Sequence, residues 1–305
     1  RLISRNKVTG TLRGPWLADG VCLLLSKHGL VSERVQSVTN KGNNGTMKQH
    51  TRRLLQNVLP PVLTLFLIIG LWQFVVWKFA IPPYLVPKPL AVLNEAIRDF
   101  PKFASATGVT ALAATCGFVA SLITGTCIAC LFSQSRAIRV SCYPYAIFLQ
   151  TVPIVAIAPL IITWFGSGLK SVTIVAFIIS LFPIITNATT GMLSVDHDLL
   201  DLFRLHRATR LQTWIKLRFP NAVPHILTGA RTSSGLAVIG AIVGEFFAGH
   251  GTDHYGLGYL ILQTSSQLKT AALFTCVIAS TLLGVSIFGT MNLLDTAIKR
   301  RWFDA

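Results

Sequence analysis

The sequence predicts an all-α membrane protein with about six transmembrane helices. Of its 305 residues, 52% are hydrophobic and only 12% are charged, and the mean hydropathy is +0.60. A soluble domain would be about one quarter charged. Apolar runs of about 20 residues, the length that crosses a bilayer, recur along the chain without the alternation of barrel strands. Because lipid cannot satisfy open backbone polar groups, such runs must be helical.

The predicted spans are 59–79, 106–132, 141–165, 171–193, 222–247 and 271–296. Several contain prolines, which kink helices; either they only shape the helices, or they suit a protein that lines a path and moves. In the fifth span, Gly235, Gly240 and Gly244 predict close contact with a neighbouring helix.

Between the first two spans, residues 84–100 predict a short helix on the outer surface. Leu90, Leu93, Ile97 and Phe100 share one helical face, as in a helix that lies in a membrane interface.

The basic residues cluster at the ends of the apolar runs. A formal net charge of +16 would suggest nucleic acid in a soluble protein. Here the placement favours membrane topology and anionic lipid headgroups, and excludes a nucleic-acid partner. The loops and ends of the membrane domain fall on two sides of the membrane. The side that carries both ends of this domain and residues 196–220 has about twice as many Lys and Arg residues as the other side. We therefore expect both termini in the cytoplasm.

The first 46 residues differ from the rest because they are polar and rich in Gly, Ser, Asn, Lys and Arg. Met47 opens "MKQHTRR" before the first apolar run, which is typical of the start of a membrane protein. We expect residues 1–46 to be a disordered or upstream extension and residues 47–305 to be the transmembrane domain.

Metal sites and disulfides are not predicted. Cys127 and Cys130 form a C-x-x-C inside an apolar helical run, where cysteine usually packs as a small hydrophobic residue. His250, Asp253 and His254 share an outer loop, but ordinary loop polarity explains them better than metal ligation.

The longest polar interruption between spans is residues 196–220, here called the charged loop. Asp196, Asp198 and Asp201 precede a set of basic residues, an order that suits a helix dipole and predicts a helix at 197–206. Thr209 and Gln212 have the spacing of a capping box, which predicts a second helix at 210–218, ended by Pro220 and Pro224. The loop is either a positively charged anchor on the membrane surface or a docking element for a cytoplasmic partner.

The stretch "VDHDLLDLFRLHRATRLQTWIKLRFPNAVPHILTGARTSSGLAVIGAIVGEFF" resembles the cytoplasmic loop and following span of permease subunits of binding-protein-dependent ABC importers. "YLVPKP", "VPIVAIAPLIITWFGSG" and "GLGYLI" resemble the same family, over about residues 55–300. The most similar branch transports nitrate, sulfonate and taurine, and includes permeases for thiamine-pyrimidine precursors.

The resemblance implies a type I importer permease in the bacterial inner (plasma) membrane. It further implies a homodimer, a separate ATPase subunit and a periplasmic or lipid-anchored solute-binding protein. The solute would be a nitrate-, sulfonate- or taurine-like anion or a thiamine-pyrimidine precursor.

The resemblance also makes the first helix of the charged loop a coupling helix that docks on the ATPase. Asp201 stands in the family's Glu place, Leu202 and Phe203 in its two Ala places, Arg207 at its turn Gly and Pro220 at its closing Pro. Arg204 and Ala208 complete the predicted docking set.

Arg207 departs from the family because glycine normally frees this turn to adopt a left-handed conformation. Arginine in that conformation costs about 1–2 kcal/mol. Either the turn relaxes, or a charge contact with the ATPase compensates.

Candidate path or gate residues are Glu245, Arg231, Gly256 and Gly258. Ionisable residues inside a membrane are costly and often functional, and Glu245 is the one acidic residue identified here within an apolar run. Glu245 either bonds to the outer segment that follows or acts as a gate. Arg231 either makes a packing contact or attracts anions.

The sequence contains no Gly-rich phosphate-binding loop and no nucleophile–base arrangement, so we expect no enzyme activity and no cofactor in this chain, with ATP used by a partner. The rival function is a secondary transporter driven by an ion gradient. That class would show acidic or His residues near mid-span and internal repeats.

Overall fold

The computed structural model describes residues 59–248 and 255–303, which are mainly helical and contain no strand. The predicted extension 1–46, the start at Met47 and the His250–Asp253–His254 group lie outside the described residues. The helices are α1 Leu59–Lys78, α2 Pro89–Arg98, α3 Phe100–Gln134, α4 Arg136–Thr151, α5 Ile154–Phe165, α6 Leu169–Leu193, α7 His197–Leu205, α8 Arg210–Thr213, α9 Phe219–Ala248, α10 Leu257–Ser266 and α11 Thr270–Phe303.

The chain divides into two compact units, residues 1–71 and 72–305. The second unit holds α2 to α11 and every site discussed below. Five helical stretches of the described chain are long and apolar enough to cross a membrane: α1, α3, α6, α11 and the stretch Arg210–Ala248 that ends in α9.

The predicted third span, 141–165, is not one continuous helix. It divides into α4 and α5 at Val152 and Pro153, where Val152 has the extended dihedrals φ −72° and ψ 126°. Proline disfavours the helical conformation in the residue before it, so the chain breaks here. By contrast Pro144, Pro159 and Pro183 lie inside helices.

The short helix predicted within 84–100 is present as α2, which begins at Pro89, whose fixed φ suits a first helical position, and ends at Arg98, so Phe100 belongs to α3. Val92 is buried, and its carbonyl accepts a hydrogen bond from Thr275 Oγ1 on α11. Leu90, Leu93 and Ile97 are exposed, so this apolar face is unpacked within the chain.

The core is built around the α6–α9 seam, where two antiparallel helices approach through small residues. A Cβ added at Gly191 would overlap the side chain of His225, and one at Gly240 would overlap Ala176. Between them, Ser233 Oγ donates to the Ser180 carbonyl at 2.7 Å. Close approach of this kind is how membrane helices gain packing and interhelical hydrogen bonds.

Two of the three glycines predicted to make close contacts do so. Gly240 and Gly244 lie against α6, as expected. Gly235 does not, because nothing lies within 4 Å of the place a Cβ would take. The apolar run alone could not show that Gly235 faces away from the seam.

Candidate functional site

The first helix of the charged loop, α7, is held by local contacts rather than by packing. The Asp196 carboxylate accepts from the Asp198 N–H at 3.1 Å and caps the helix. Asp201 and Arg204 form an exposed ion pair at 2.8 Å. No residue of α7 is buried, and Leu205 is 81% exposed.

The turn after α7 keeps the left-handed conformation. Arg207 has φ +53°, the Arg207 N–H donates to the Arg204 carbonyl at 2.9 Å, and the Ala208 N–H donates to the Phe203 carbonyl at 3.0 Å. These two bonds define a Schellman motif. A relaxed turn, one of the two alternatives, is therefore wrong, whereas a compensating charge contact with the ATPase stays a prediction.

The predicted capping box is confirmed at the start of α8. The Gln212 N–H donates to Thr209 Oγ1 at 3.3 Å, and the Thr209 N–H donates to Gln212 Oε1 at 2.9 Å. The two short helices are thus joined by a turn whose backbone groups are satisfied at both sides.

The prediction that Pro220 and Pro224 end this second helix is wrong. A single π-helical turn, Trp214–Arg218, connects α8 to α9, and both prolines lie within α9. Proline lacks an N–H and crowds the carbonyl four residues earlier. The wider π turn lies directly before Pro220, where it accommodates that defect without breaking the helix.

A cavity of about 330 Å³ lies between the two short helices. Its lining consists of Leu202, Phe203, His206, Ala208, Gln212 and Lys216. Three of the predicted docking residues thus meet here, and Leu202 is 47% exposed. The lining combines apolar side chains with polar and basic ones.

The base of the charged loop is fastened to two spans. Arg218 Nη1 donates to the Ser133 carbonyl at the end of α3. Asn221 Nδ2 donates to the Gly191 carbonyl at 2.9 Å near the end of α6. The loop is therefore unpacked at its tip and anchored at its base.

At the other end of α9, Glu245 is 3% exposed and forms a second polar centre, the Glu245 junction (Thr110, Glu245, Leu257 and Gly258). Glu245 Oε2 accepts from the Gly258 N–H at 2.7 Å and from Thr110 Oγ1 at 3.0 Å. Thr110 Oγ1 also accepts from the Leu257 N–H at 2.8 Å. One carboxylate thus joins α3 and α9 to the first turn of α10, where helix N–H groups favour negative charge.

Gly256 and Gly258 are needed at this junction for space. A Cβ at Gly256 would overlap the Glu245 carboxyl group, and one at Gly258 would overlap the Ile242 carbonyl. Of the two roles predicted for Glu245, the bond to the segment after α9 is therefore present. A gating role for the junction stays a prediction.

Arg231 lies on α9 but does not join the Glu245 junction, since the two residues are fourteen positions apart, which corresponds to about 21 Å of helix. Its side chain is exposed, and its guanidinium carbon lies 5.1 Å from the centre of the Phe288 ring on α11. The predicted packing contact is present as a cation–π contact.

Two polar features of the spans escaped the sequence interpretation. Thr110 is the hydroxyl that completes the Glu245 junction, and nothing in an apolar run marks it. Asp295 is 6% exposed and pairs with Lys299 at 2.8 Å. Asp295 lies within the predicted sixth span, so the prediction that Glu245 is the one acidic residue within the predicted spans is wrong. Its i,i+4 spacing to Lys299 was the available signal.

The sequence is similar to a known family of membrane transport proteins. Residues 117–300 match the model of the family described as binding-protein-dependent transport system inner membrane component. The formylaminopyrimidine transport permease protein ThiX of Halalkalibacterium halodurans is 28% identical over 79% of this chain and 94% of its own length. The riboflavin transport system permease protein RibX of Chloroflexus aurantiacus is 31% identical over 78% of this chain and 88% of its own length.

Among solved structures, an inward-facing conformation of the MetNI methionine ABC transporter aligns with a TM-score of 0.58 at 14% identity. The match covers 65% of this chain and 97% of the other, and shows a shared fold. The chain therefore belongs to the family of binding-protein-dependent transport system inner membrane components and is the permease subunit of an ABC importer.

Proposed function

We propose that this permease is driven by a separate ATPase subunit that docks on the charged loop. The observation that carries the proposal is the exposed apolar surface of α7, where Leu199, Leu202 and Leu205 are 45%, 47% and 81% exposed. A short helix with this surface, fixed by a cap at one end and a Schellman turn at the other, is preorganised for a partner.

The route from the docking surface to the spans is short. Helical backbone runs from Arg210 through the π turn into α9, and Arg218 and Asn221 tie its base to α3 and α6. A displacement of the charged loop would therefore move α9 against the helices that surround it. The π turn is the place where such a helix can change its winding, as single π turns often mark functional sites.

The assembly that we propose is a homodimer of the permease with two ATPase subunits, loaded by an outer solute-binding protein. Both termini and the charged loop would face the cytoplasm, where the basic residues place them. The solute would be a small anion of the nitrate, sulfonate or taurine kind, or a thiamine-pyrimidine precursor. The name of the relative ThiX, a formylaminopyrimidine permease, supports the second class.

The ion-gradient carrier has no comparable support. Such a carrier moves protons or cations through acidic groups that face its path. In the described spans, the two acidic side chains are Glu245 and Asp295, which are both buried and both bonded within the chain.

A matched pair of leucine substitutions tests the docking surface. Leu205 and Leu268 are 81% and 69% exposed and lie at opposite ends of the spans. Leu205→Ser should reduce co-purification of the ATPase and ATP-dependent uptake in proteoliposomes, whereas Leu268→Ser should change neither. Full activity of Leu205→Ser, or uptake that survives ATP depletion, would refute the proposal.

A further inference from the structure

One face of α9 is polar and exposed near the middle of the helix. Thr228, Arg231 and Thr232 are exposed in the single chain, and Gly235 adjoins open space one turn further on. Two turns beyond Arg231 the face becomes apolar at Ile239, which is 54% exposed. The polar part is therefore confined to a segment of about two turns around Arg231.

This segment is deep in the span. Arg231 follows the first residue of α9 by twelve positions, which corresponds to about 18 Å along the helix. A guanidinium at such a depth is costly against lipid and is retained in spans that face a bundle interior or a water-filled cavity. The flanking threonines extend the same polar surface along the helix. The face is therefore suited to water rather than to acyl chains.

The positive charge of Arg231 has no counter-charge in the described part of the chain. Its one ring contact is with Phe288, which is uncharged. Glu245 is buried in its own junction, and Asp295 is buried and paired with Lys299. A second copy, which carries the same residues, would bring no free carboxylate from its described spans to this depth. Within the described residues Arg231 therefore lacks a negative partner, and a bound anion would supply one.

We propose that Arg231, with Thr228 and Thr232, forms the wall of an aqueous translocation path and binds an anionic group of the transported solute. The site rests on the proposed function, which supplies the path that Arg231 would line. Phe288 holds the guanidinium in place, and its half-exposed ring offers an apolar surface beside the anion site. The hydroxyl groups of Thr228 and Thr232 donate to the Pro224 and Thr228 carbonyls of the same helix, and their oxygens keep lone pairs that accept hydrogen bonds from water in the path.

The test uses two thiol reagents that differ in charge and needs no knowledge of the natural solute. Thr232→Cys is introduced after the native cysteines are replaced by alanine, and the permease with its ATPase is reconstituted in nanodiscs with and without ATP. Labelling rates are then compared for 2-sulfonatoethyl methanethiosulfonate, an anion, and 2-trimethylammonioethyl methanethiosulfonate, a cation. The first reagent is itself a sulfonate and serves as the anion probe.

We expect the ratio of the anionic to the cationic labelling rate to be about five-fold higher than with a free thiol. A unit positive charge about 8 Å away in water attracts the anion and repels the cation by about 0.5 kcal/mol each. Arg231→Gln should remove this preference, and Arg231→Lys should retain it. Ile239→Cys is the control on the same face. It lies about 12 Å from Arg231 along the helix, beyond a Debye length of about 8 Å, and should show little preference.

Each other outcome overturns the inference. If Thr232→Cys reacts with neither reagent in either nucleotide state, the face is covered by lipid or protein and does not line an aqueous path. If both reagents react without preference, Arg231 does not bind anions. Neither result touches ATPase docking, which the leucine pair measures separately, so failure of the path site and failure of the proposed function are distinguishable.

Discussion

The two ends of the helical stretch Arg210–Ala248 are built in opposite ways. At one end Glu245 is 3% exposed and fixed by bonds to α3 and α10. At the other end the charged loop has no buried residue in either of its short helices. The first end is stabilised by contacts with other helices, whereas the tip of the second is stabilised by a cap, a turn and one exposed ion pair.

This contrast separates stability from coupling. A substitution in the Glu245 junction or the α6–α9 seam breaks contacts that hold the spans together, so it should lower stability. A substitution at the tip of the charged loop removes few contacts within the isolated chain, so it should affect binding of the ATPase rather than stability. The two kinds of effect can be measured on the same purified protein.

The largest effect is expected at the junction. Glu245→Ala leaves the buried Gly258 N–H without its acceptor, whereas the Thr110 hydroxyl still reaches the Ala106 carbonyl. An unsatisfied buried N–H costs about 1–3 kcal/mol and the cavity left by the deleted side chain adds to this cost, so the free energy of unfolding should fall by about 3 kcal/mol. Thermal unfolding in detergent measures the change. Glu245→Gln, which keeps an acceptor oxygen, should lose less, and an Ala variant as stable as the wild type would contradict this role.

The next effect compares the same substitution at two glycines. Gly191→Ala pushes a methyl group into the His225 side chain in the seam and should destabilise the protein by about 1–3 kcal/mol. Gly235→Ala meets nothing within 4 Å and should leave stability unchanged or raise it by about 0.5–1 kcal/mol. Thermal unfolding midpoints of the two variants test the pair. Equal losses would mean that the contact of Gly191 with His225 in the seam does not determine the cost of the added methyl group.

A smaller effect of opposite sign is expected at the turn of the charged loop. Arg207 holds φ +53°, which glycine adopts without strain. Relief of this strain in Arg207→Gly should raise the free energy of unfolding by about 1 kcal/mol. The greater conformational entropy of glycine in the unfolded chain offsets part of this gain. Chemical unfolding of the purified permease measures it. A destabilised Gly variant would show that Arg207 contributes contacts beyond its backbone.

Local patterns made part of this architecture predictable. The capping box at Thr209 and Gln212 and the place of the Arg207 turn follow from residues a few positions apart, and both are as expected. The five long apolar helices also follow from hydropathy. Such features depend on near neighbours in the sequence, where physical rules are strongest.

Features that depend on distant parts of the chain were not predictable. Pro220 continues a helix because a π turn precedes it, and Gly235 faces open space because the seam lies on another face of α9. The Glu245 junction needs Thr110, which lies 135 residues away. The sequence contains Arg207 and the leucines of α7, but not the surface of the partner on which we propose that they dock.

The measurement that tests the account most directly is the coupling of ATP hydrolysis to uptake in the Arg207→Glu permease. The charge reversal leaves the spans and the Glu245 junction untouched, so membrane insertion and thermal stability should stay within about 0.5 kcal/mol of the wild type. Solute uptake driven by ATP should fall about ten-fold, which corresponds to about 1.4 kcal/mol of lost contact with the ATPase. Unchanged uptake at full expression would remove Arg207 from the docking surface and contradict the separation of a stable core from a partner-dependent loop.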